Sequence, residues 1–123
     1  MRKRILKMVI TFVLLLGFTV VLAGCGESKI SVQGITDEYI HVGNTAATSG
    51  LFADVGIPFN LAMEVVFDEY NASRAAGERK IKFTTYDDGF DGAQGLAFTK
   101  KLIEDDKIFA IVGHFGTETV DAT

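Results

Sequence analysis

Short runs rich in β-branched and aromatic residues alternate with longer helix-forming segments along most of this 123-residue chain. The pattern predicts strands at 39–42, 81–86 and 108–112, and helices at 54–71 and 93–105. Parallel strands need a crossover between them, usually a helix, so this alternation predicts βαβ units. We therefore predict an α/β fold built on a parallel sheet.

We expect different faces of these elements to be buried. The run 108–112 is continuously apolar, which predicts a strand buried on both faces. In the first helix, Asp54 is expected to be the cap and Pro58 to lie in the first turn. The polar residues of this helix recur at helical spacing and predict one solvent-facing stripe: Asn60, Glu64, Asp68 and Asn71.

The first 24 residues differ in kind from the rest of the chain. Their four charged residues are all basic: Arg2, Lys3, Arg4 and Lys7. The apolar run 8–23 that follows is short for a membrane-spanning helix, which needs about 20 residues. A basic start, an apolar core and small residues before a cleavage point indicate an export signal. We predict a signal peptide at 1–24, a flexible tether at 25–36 and a folded domain at 37–123.

Residues 22–25, Leu-Ala-Gly-Cys, resemble the bacterial lipobox, whose cysteine is lipidated at its thiol and becomes the first residue after cleavage. The resemblance implies a lipid anchor at Cys25 that holds the protein on the extracytoplasmic face of the cell membrane. An ordinary cleaved signal and an uncleaved anchor remain the alternatives. Because Cys25 is the only cysteine, the chain has no internal disulfide.

Charge and motifs exclude several classes of function. Beyond residue 24 the chain has 8 basic and 16 acidic residues, a balance that disfavours a nucleic-acid partner. The sequence lacks the GxGxxG and GxxxxGK[ST] glycine cradles of nucleotide sites, and the HExxH and GxSxG patterns of common hydrolases. We therefore predict no cofactor, no metal and no catalysed reaction, with a surface-anchored enzyme as a minor alternative.

A ligand is expected at the carboxyl ends of the strands, where the loops 45–54, 87–92 and 114–119 should meet. None of them contains Lys or Arg, so an anion there would depend on hydroxyls and backbone N–H groups, which suit a carboxylate. The candidates, for which a cap or turn role is the alternative, are Thr48, Ser49, Gly50, Thr117 and Thr119. His114 is expected to be a structural hydrogen-bond donor.

Three segments resemble the first lobe of the periplasmic leucine/isoleucine/valine-binding proteins, the type I solute-binding components of ABC importers. They are Gly-Asn-Thr-Ala-Ala-Thr-Ser-Gly at 43–50, the stretch 82–88 ending in Tyr-Asp-Asp, and Ile-Val-Gly-His-Phe-Gly-Thr at 111–117. The resemblance implies a Rossmann-like parallel sheet, the first half of lobe 1 of a two-lobed fold that closes on an amino acid. We expect the chain to be an amino-terminal fragment of such a protein.

The resemblance also implies roles for individual residues. Thr117 would contact the α-carboxylate of the ligand, with neighbouring backbone at Gly116 and Thr119. Val55, with Phe52 nearby, takes the place of an aromatic residue that often contacts the ligand. Some family members have a disulfide between the second and third loops, where this chain has Phe90 and Gly116. The implied partners are an amino acid, branched-chain or related, and ABC permease subunits. A sensory or receptor domain of the same fold is the alternative.

Overall fold

Residues 31–123 are described in a computed structural model of the chain. The strands are β1 (Tyr39–Ala46), β2 (Lys80–Asp87) and β3 (Ala110–Ile111). The helices are α1 (Ala53–Ala72), α2 (Gly92–Glu104) and α3 (Thr117–Ala122), and a 3-10 turn, Gly50–Phe52, leads into α1. The predicted signal peptide and Cys25 lie outside the described residues.

The three strands form a parallel sheet in the order β2-β1-β3, which confirms the predicted α/β class. Consecutive residues of a strand point to opposite faces of the sheet. Asn44 of β1 contacts Asn60 of α1, and a side chain at Gly43 would collide with Leu102 of α2. The helices α1 and α2 therefore cover opposite faces, as in a doubly wound sheet.

Strand β1 is the centre of the sheet. It pairs with β2 from Tyr39 to Ala46 and with β3 at Val42 and Gly43. It extends four residues beyond the predicted strand 39–42, since its backbone groups are buried between two neighbours and need partners in the ladder.

Strand β3 is shorter and more exposed than predicted. Of the run 108–112, Ile108 is buried, but Phe109 and Ile111 are exposed. Only Ala110 and Ile111 form the strand, and within residues 31–123 they pair with β1 alone. The prediction of a strand buried on both faces is therefore wrong for the described part of the chain, where β3 is an edge strand.

The face of α1 that packs on the sheet is partly polar. Asn44 Nδ2 donates to Asn60 Oδ1 at 2.9 Å, and Asn60 Nδ2 donates to Thr85 Oγ1 at 2.8 Å. Asn71 pairs with both backbone groups of Ile81, at 2.7 and 2.8 Å. Two residues of the predicted solvent stripe thus face the sheet, because the strands supply matching hydrogen-bond partners.

The opposite side of α1 is apolar. Five of its residues are more than half exposed: Val55, Ile57, Leu61, Val65 and Val66. The segment Gly50–Ala72 is consequently long and apolar enough, by length and composition alone, to cross a membrane. The core helices of soluble proteins can pass the same test, and α1 packs closely on the domain at Gly56, where a Cβ would lie 2.0 Å from the carbonyl oxygen of Ala47.

The helix starts also differ in part from expectation. Helix α1 begins at Ala53 with Phe52 at the cap position, so Asp54 lies in the first turn rather than capping it. There its charge interacts favourably with the helix dipole. Pro58 lies in the second turn, not the first. Helix α2 has a side-chain cap, Asp91, which accepts a hydrogen bond from the backbone N–H of Gln94 at 2.8 Å.

The described part of the predicted tether, residues 31–36, is held against the domain. The Gln33 side chain donates to the carbonyl oxygens of Ile103 and Ile108, both at 3.1 Å. The carbonyl oxygen of Gly34 accepts a hydrogen bond from His41 N–H at 2.7 Å. Polar groups of residues 31–36 thus find hydrogen-bond partners on the sheet and on α2.

Candidate functional site

The three loops predicted to meet at the carboxyl edge of the sheet do so. The second loop contacts the first through stacked rings of Phe90 and Phe52, whose centroids are 4.0 Å apart. It contacts the third through a hydrogen bond from Thr119 Oγ1 to Asp88 Oδ2 at 2.9 Å. None of the three loops contains Lys or Arg, so their polar surface consists of hydroxyls, backbone groups and carboxylates.

Asp87 organises the first loop. Its Oδ1 accepts hydrogen bonds from the backbone N–H groups of Thr48 (2.9 Å), Ser49 (3.1 Å) and Gly89 (3.1 Å). Burial opposes ionisation, but hydrogen bonds from the Ser49 side chain and these N–H groups hold the pKa of the Asp87 carboxyl below its usual value. The N–H groups of Thr48 and Ser49, expected to be free for a ligand anion, are thus used by Asp87.

Asp88 organises the third loop and is fully buried. Its Oδ1 accepts from Phe90 N–H at 2.9 Å, and its Oδ2 from the hydroxyl of Thr119, which is itself fully buried. A Cβ at Gly95 would lie 2.6 Å from the Thr119 side chain, so α2 and α3 approach closely at this point. The structure therefore places the Thr119 hydroxyl inside the domain, as a support of the loop.

Thr117, unlike the buried Thr119, lies on the surface of the domain. It is the first residue of α3 and is exposed, and within residues 31–123 its hydroxyl has no hydrogen-bond partner. Gly116 precedes it with a φ of 123°, a conformation that favours glycine. A Cβ at Gly116 would lie 3.1 Å from the Phe90 ring, so the backbone before Thr117 packs directly on that ring.

His114 is a structural residue, as the sequence predicts. Its Nδ1 accepts a hydrogen bond from Thr45 N–H at 3.0 Å, so the neutral ring carries its proton on Nε2, which lies 3.1 Å from Thr99 Oγ1. Burial lowers the pKa of His114, and the charge of Asp88 opposes this shift. The neutral imidazole therefore ties the end of β1 to α2.

The edge also carries apolar groups that lie beside the polar ones. Phe52 and Val55 remain exposed, and the Phe90 ring lies 6.4 Å from that of Phe115. In the sequence, Phe90 stands out only as the residue at a position where some family members have a disulfide-forming cysteine. The signal that could have indicated more is its place after Asp-Asp-Gly, where a large apolar side chain is unusual for a polar turn.

Outside the three loops, the described residues offer one cavity as a further candidate ligand site. A cavity of about 240 Å³ lies between α1 and β2, away from the three loops, and is lined by Glu64, Phe67, Asp68, Asn71, Ile81 and Phe83. Within residues 31–123, no cluster of three or more His, Cys, Asp or Glu residues could hold a metal ion.

The sequence of the domain matches one family. The model of the periplasmic binding protein family matches residues 39–123. The chain belongs to the periplasmic binding protein family. An amino acid binding protein from Pseudomonas aeruginosa is 26% identical over 95 residues, which cover 76% of this chain and 25% of that protein.

Solved structures place this periplasmic binding protein in the type I fold. A possible leucine/isoleucine/valine-binding protein from Rhodopirellula baltica has a TM-score of 0.65 and 27% identity over 70% of this chain and 23% of its own. A fatty acid ABC transporter substrate-binding protein from Thermomonospora curvata shares the fold, with a TM-score of 0.66 and 23% identity over 75% of this chain and 23% of its own. The resemblance noted in the sequence is confirmed, and the chain is a fragment of the type I fold that spans about a quarter of the length of these relatives.

The family and these neighbours are binding proteins rather than enzymes. In a parallel α/β sheet the carboxyl edge is the general ligand position, particularly where the strand order reverses. In this periplasmic binding protein the reversal lies between β1 and β3, where the first and third loops begin. The exposed hydroxyl of Thr117 and the exposed side chain of Phe52 belong to these two loops.

Proposed function

We propose that the chain is the amino-terminal part of the extracytoplasmic substrate-binding component of an ABC transporter, which captures an amino acid, branched-chain or related, for import. The observation that carries this proposal is the exposed hydroxyl of Thr117, which has no hydrogen-bond partner among residues 31–123, at an edge whose three loops contain no Lys or Arg. A neutral hydroxyl donor can bind a carboxylate and release it again, as a transport receptor must.

The proposed roles of the other predicted site residues differ from one another. Thr117 donates to the ligand carboxylate, and Gly116 sets the path of the backbone before it. Thr119 does not contact the ligand but supports the third loop through its buried hydrogen bond to Asp88. Thr48 and Ser49 shape the first loop through their bonds to Asp87, which brings Phe52 and Val55 to the edge.

The relatives support a carboxylate ligand. One is named for amino acids, one for leucine, isoleucine or valine, and one for a fatty acid. All of these molecules have a carboxylate and most have an apolar body. We propose the same pairing of groups for the ligand here, with the remaining contacts supplied by a second lobe that closes over it.

We also propose that Cys25 is lipidated and holds the protein on the extracytoplasmic face of the cell membrane, where an ABC permease is its partner. A serine at this position cannot form the thioether, so Cys25→Ser should move the protein from the membrane fraction to the soluble fraction. Persistence of the variant in the membrane fraction would indicate an uncleaved anchor instead.

The test of the carboxylate contact is titration calorimetry on the full-length protein with L-leucine and related amino acids. Thr117→Val should weaken binding by about 1–3 kcal/mol, the cost of a lost hydrogen bond to a charged group. Glu118→Gln is the matched control, because Glu118 is the next residue of the same exposed turn. If Thr117→Val binds as tightly as the parent protein, Thr117 is not the carboxylate contact.

A further inference from the structure

The cavity between α1 and β2 lies away from the edge where the amino-acid ligand is proposed to bind. Its volume of about 240 Å³ is somewhat below that of pockets for drug-sized ligands, about 300–1,000 Å³. Its lining combines two aromatic rings, Phe67 and Phe83, with two carboxylates, Glu64 and Asp68, and contains no Lys or Arg. Walls of this chemistry suit a small cation with an apolar body and repel a carboxylate.

The two rings form the apolar part of the lining. Their centroids are 5.3 Å apart and their planes meet at 60°, an arrangement that is favourable for an aromatic pair. Both side chains are half-buried, so each keeps some surface for a ligand. The face of an aromatic ring attracts an ammonium or guanidinium group within about 6 Å, and its apolar body packs against alkyl chains. The ring pair therefore fits both parts of an organic cation.

The exposed part of the lining is anionic. Glu64 and Asp68 lie one helical turn apart, and within residues 31–123 neither has a hydrogen bond or an ion pair. Like charges at this spacing destabilise a helix, and α1 contains no Lys or Arg that would compensate for them. A cation bound between the two carboxylates would remove this repulsion.

The wall formed by β2 is a strand edge, because within residues 31–123 β2 pairs with β1 alone. Lys80 N–H donates to the carbonyl oxygen of Glu38 at 2.8 Å, so the even-numbered residues of β2 face β1 and the odd-numbered ones point away from it. At Ile81 the side chain of Asn71 already bonds both backbone groups, at 2.7 and 2.8 Å. The next odd position is Phe83, whose carbonyl oxygen adds a neutral acceptor to this edge.

We propose that this cavity is a second binding site, for a primary ammonium or guanidinium group carried on a short alkyl chain. The alkyl part packs on Phe67 and Phe83, and the cationic group lies between Glu64 and Asp68. The cation is a free amine or the Lys or Arg side chain of a protein. The site shares no residue with the three edge loops, so it does not depend on the proposed function.

The test is titration calorimetry on the full-length protein with three probes. Agmatine represents the free cation, the peptide acetyl-Gly-Arg-Gly-amide represents a protein side chain, and 1-butanol is the uncharged control. We expect agmatine to bind at low salt with a dissociation constant of about 1 mM or below, and several-fold more weakly at about 0.3 M salt, because exposed charges are screened. Butanol should show no binding. Binding of the peptide without agmatine would identify the occupant as a protein side chain.

Two neighbouring acidic residues of α1 provide matched variants. Asp68→Asn removes a carboxylate from the lining, whereas Glu69→Gln removes one from the next, exposed position outside it. Asp68→Asn should weaken the binding of the cation about fivefold, and its combination with Glu64→Gln at least about tenfold. Glu69→Gln should weaken it less than about twofold. Phe67→Leu keeps an apolar side chain but removes the ring, and should weaken binding about threefold. Melting curves show whether each variant is folded.

The outcomes separate this inference from the proposed function. If neither agmatine nor the peptide binds the parent protein at about 20 mM, the inference is wrong. Equal affinity in the parent protein and in the combined Glu64→Gln and Asp68→Asn variant would place the cation elsewhere, which also overturns it. Agmatine has no carboxylate to contact Thr117, so both results leave the proposed function intact. A protein that binds agmatine but no amino acid would contradict the proposed function and leave this site.

Discussion

Two adjacent carboxylates hold the two sides of the edge in different ways. Asp87 is exposed and gathers three backbone N–H groups, two of them from the first loop. Asp88 is fully buried and joins the second loop to Thr119 of the third. The same residue type thus positions one loop by exposed hydrogen bonds to backbone N–H groups and the other by a buried hydrogen bond between side chains.

The largest effect is expected at the buried carboxylate. Asp88→Ala leaves the Thr119 hydroxyl and the Phe90 N–H without their partner in the interior, which should lower the free energy of unfolding by about 2–4 kcal/mol. Chemical denaturation of the full-length protein measures this loss. A change below about 0.5 kcal/mol would show that Asp88 does not hold the third loop.

A smaller loss is expected on the other side of the same hydrogen bond. Thr119→Val keeps the volume of the side chain but removes the hydroxyl, and should cost about 1–2 kcal/mol. Combined with Asp88→Ala in a double-mutant cycle, the two changes should be less than additive, because they remove one shared bond. Full additivity would mean that the two residues act independently.

The neutral state of His114 predicts a dependence of stability on pH. Its folded pKa is lowered, so the unfolded chain binds a proton more readily than the folded domain. Stability should therefore be complete above the ordinary value of 6.5 and be lost as the pH falls from there toward the folded pKa. Melting temperatures between pH 7.5 and 5 should show a drop that is smaller in His114→Gln, and equal drops in both proteins would contradict this role.

The smallest effect is expected at the exposed carboxylate. Asp87→Asn keeps an acceptor oxygen but removes the charge, so a loss of about 1 kcal/mol or less is expected after solvent screening. Because the folded pKa of Asp87 is lowered, its contribution is present above the pKa of an unfolded Asp, about 3.9, and is lost as the pH falls through the folded value. The variant should therefore lack part of the acid sensitivity below about pH 4. If Asp87→Asn lowered the free energy of unfolding as much as Asp88→Ala does, the two carboxylates would contribute equally, which contradicts this account.

The sequence predicts the strand and helix order well, because the period of the apolar residues changes between elements. It fails for α1, where Asn60 and Asn71 look like solvent-facing residues and instead face the sheet. A polar side chain is buried when the opposite surface offers matching groups, and the partners Asn44 and Ile81 are distant in sequence. Periodicity within a single helix contains no information about such partners.

For the candidate site, the sequence predicts the three loops and their lack of Lys and Arg. It does not predict which of their residues are buried or already hydrogen-bonded within the domain. Thr117 and Thr119 look alike in the sequence, yet one is exposed and the other is buried on Asp88. Thr48 and Ser49 look free to bind an anion, yet Asp87 already occupies their N–H groups. These roles depend on tertiary contacts across the edge.

The most direct test of the central claim is thermal-shift screening of the full-length protein against the amino acids and a set of small apolar carboxylic acids. A receptor for one of these molecules is stabilised by a free energy that grows with the logarithm of the ratio of ligand concentration to dissociation constant. The account predicts a clear rise in melting temperature with at least one apolar amino acid or carboxylic acid, and a smaller rise in Thr117→Val. An unchanged melting temperature with every compound in the screen would contradict it.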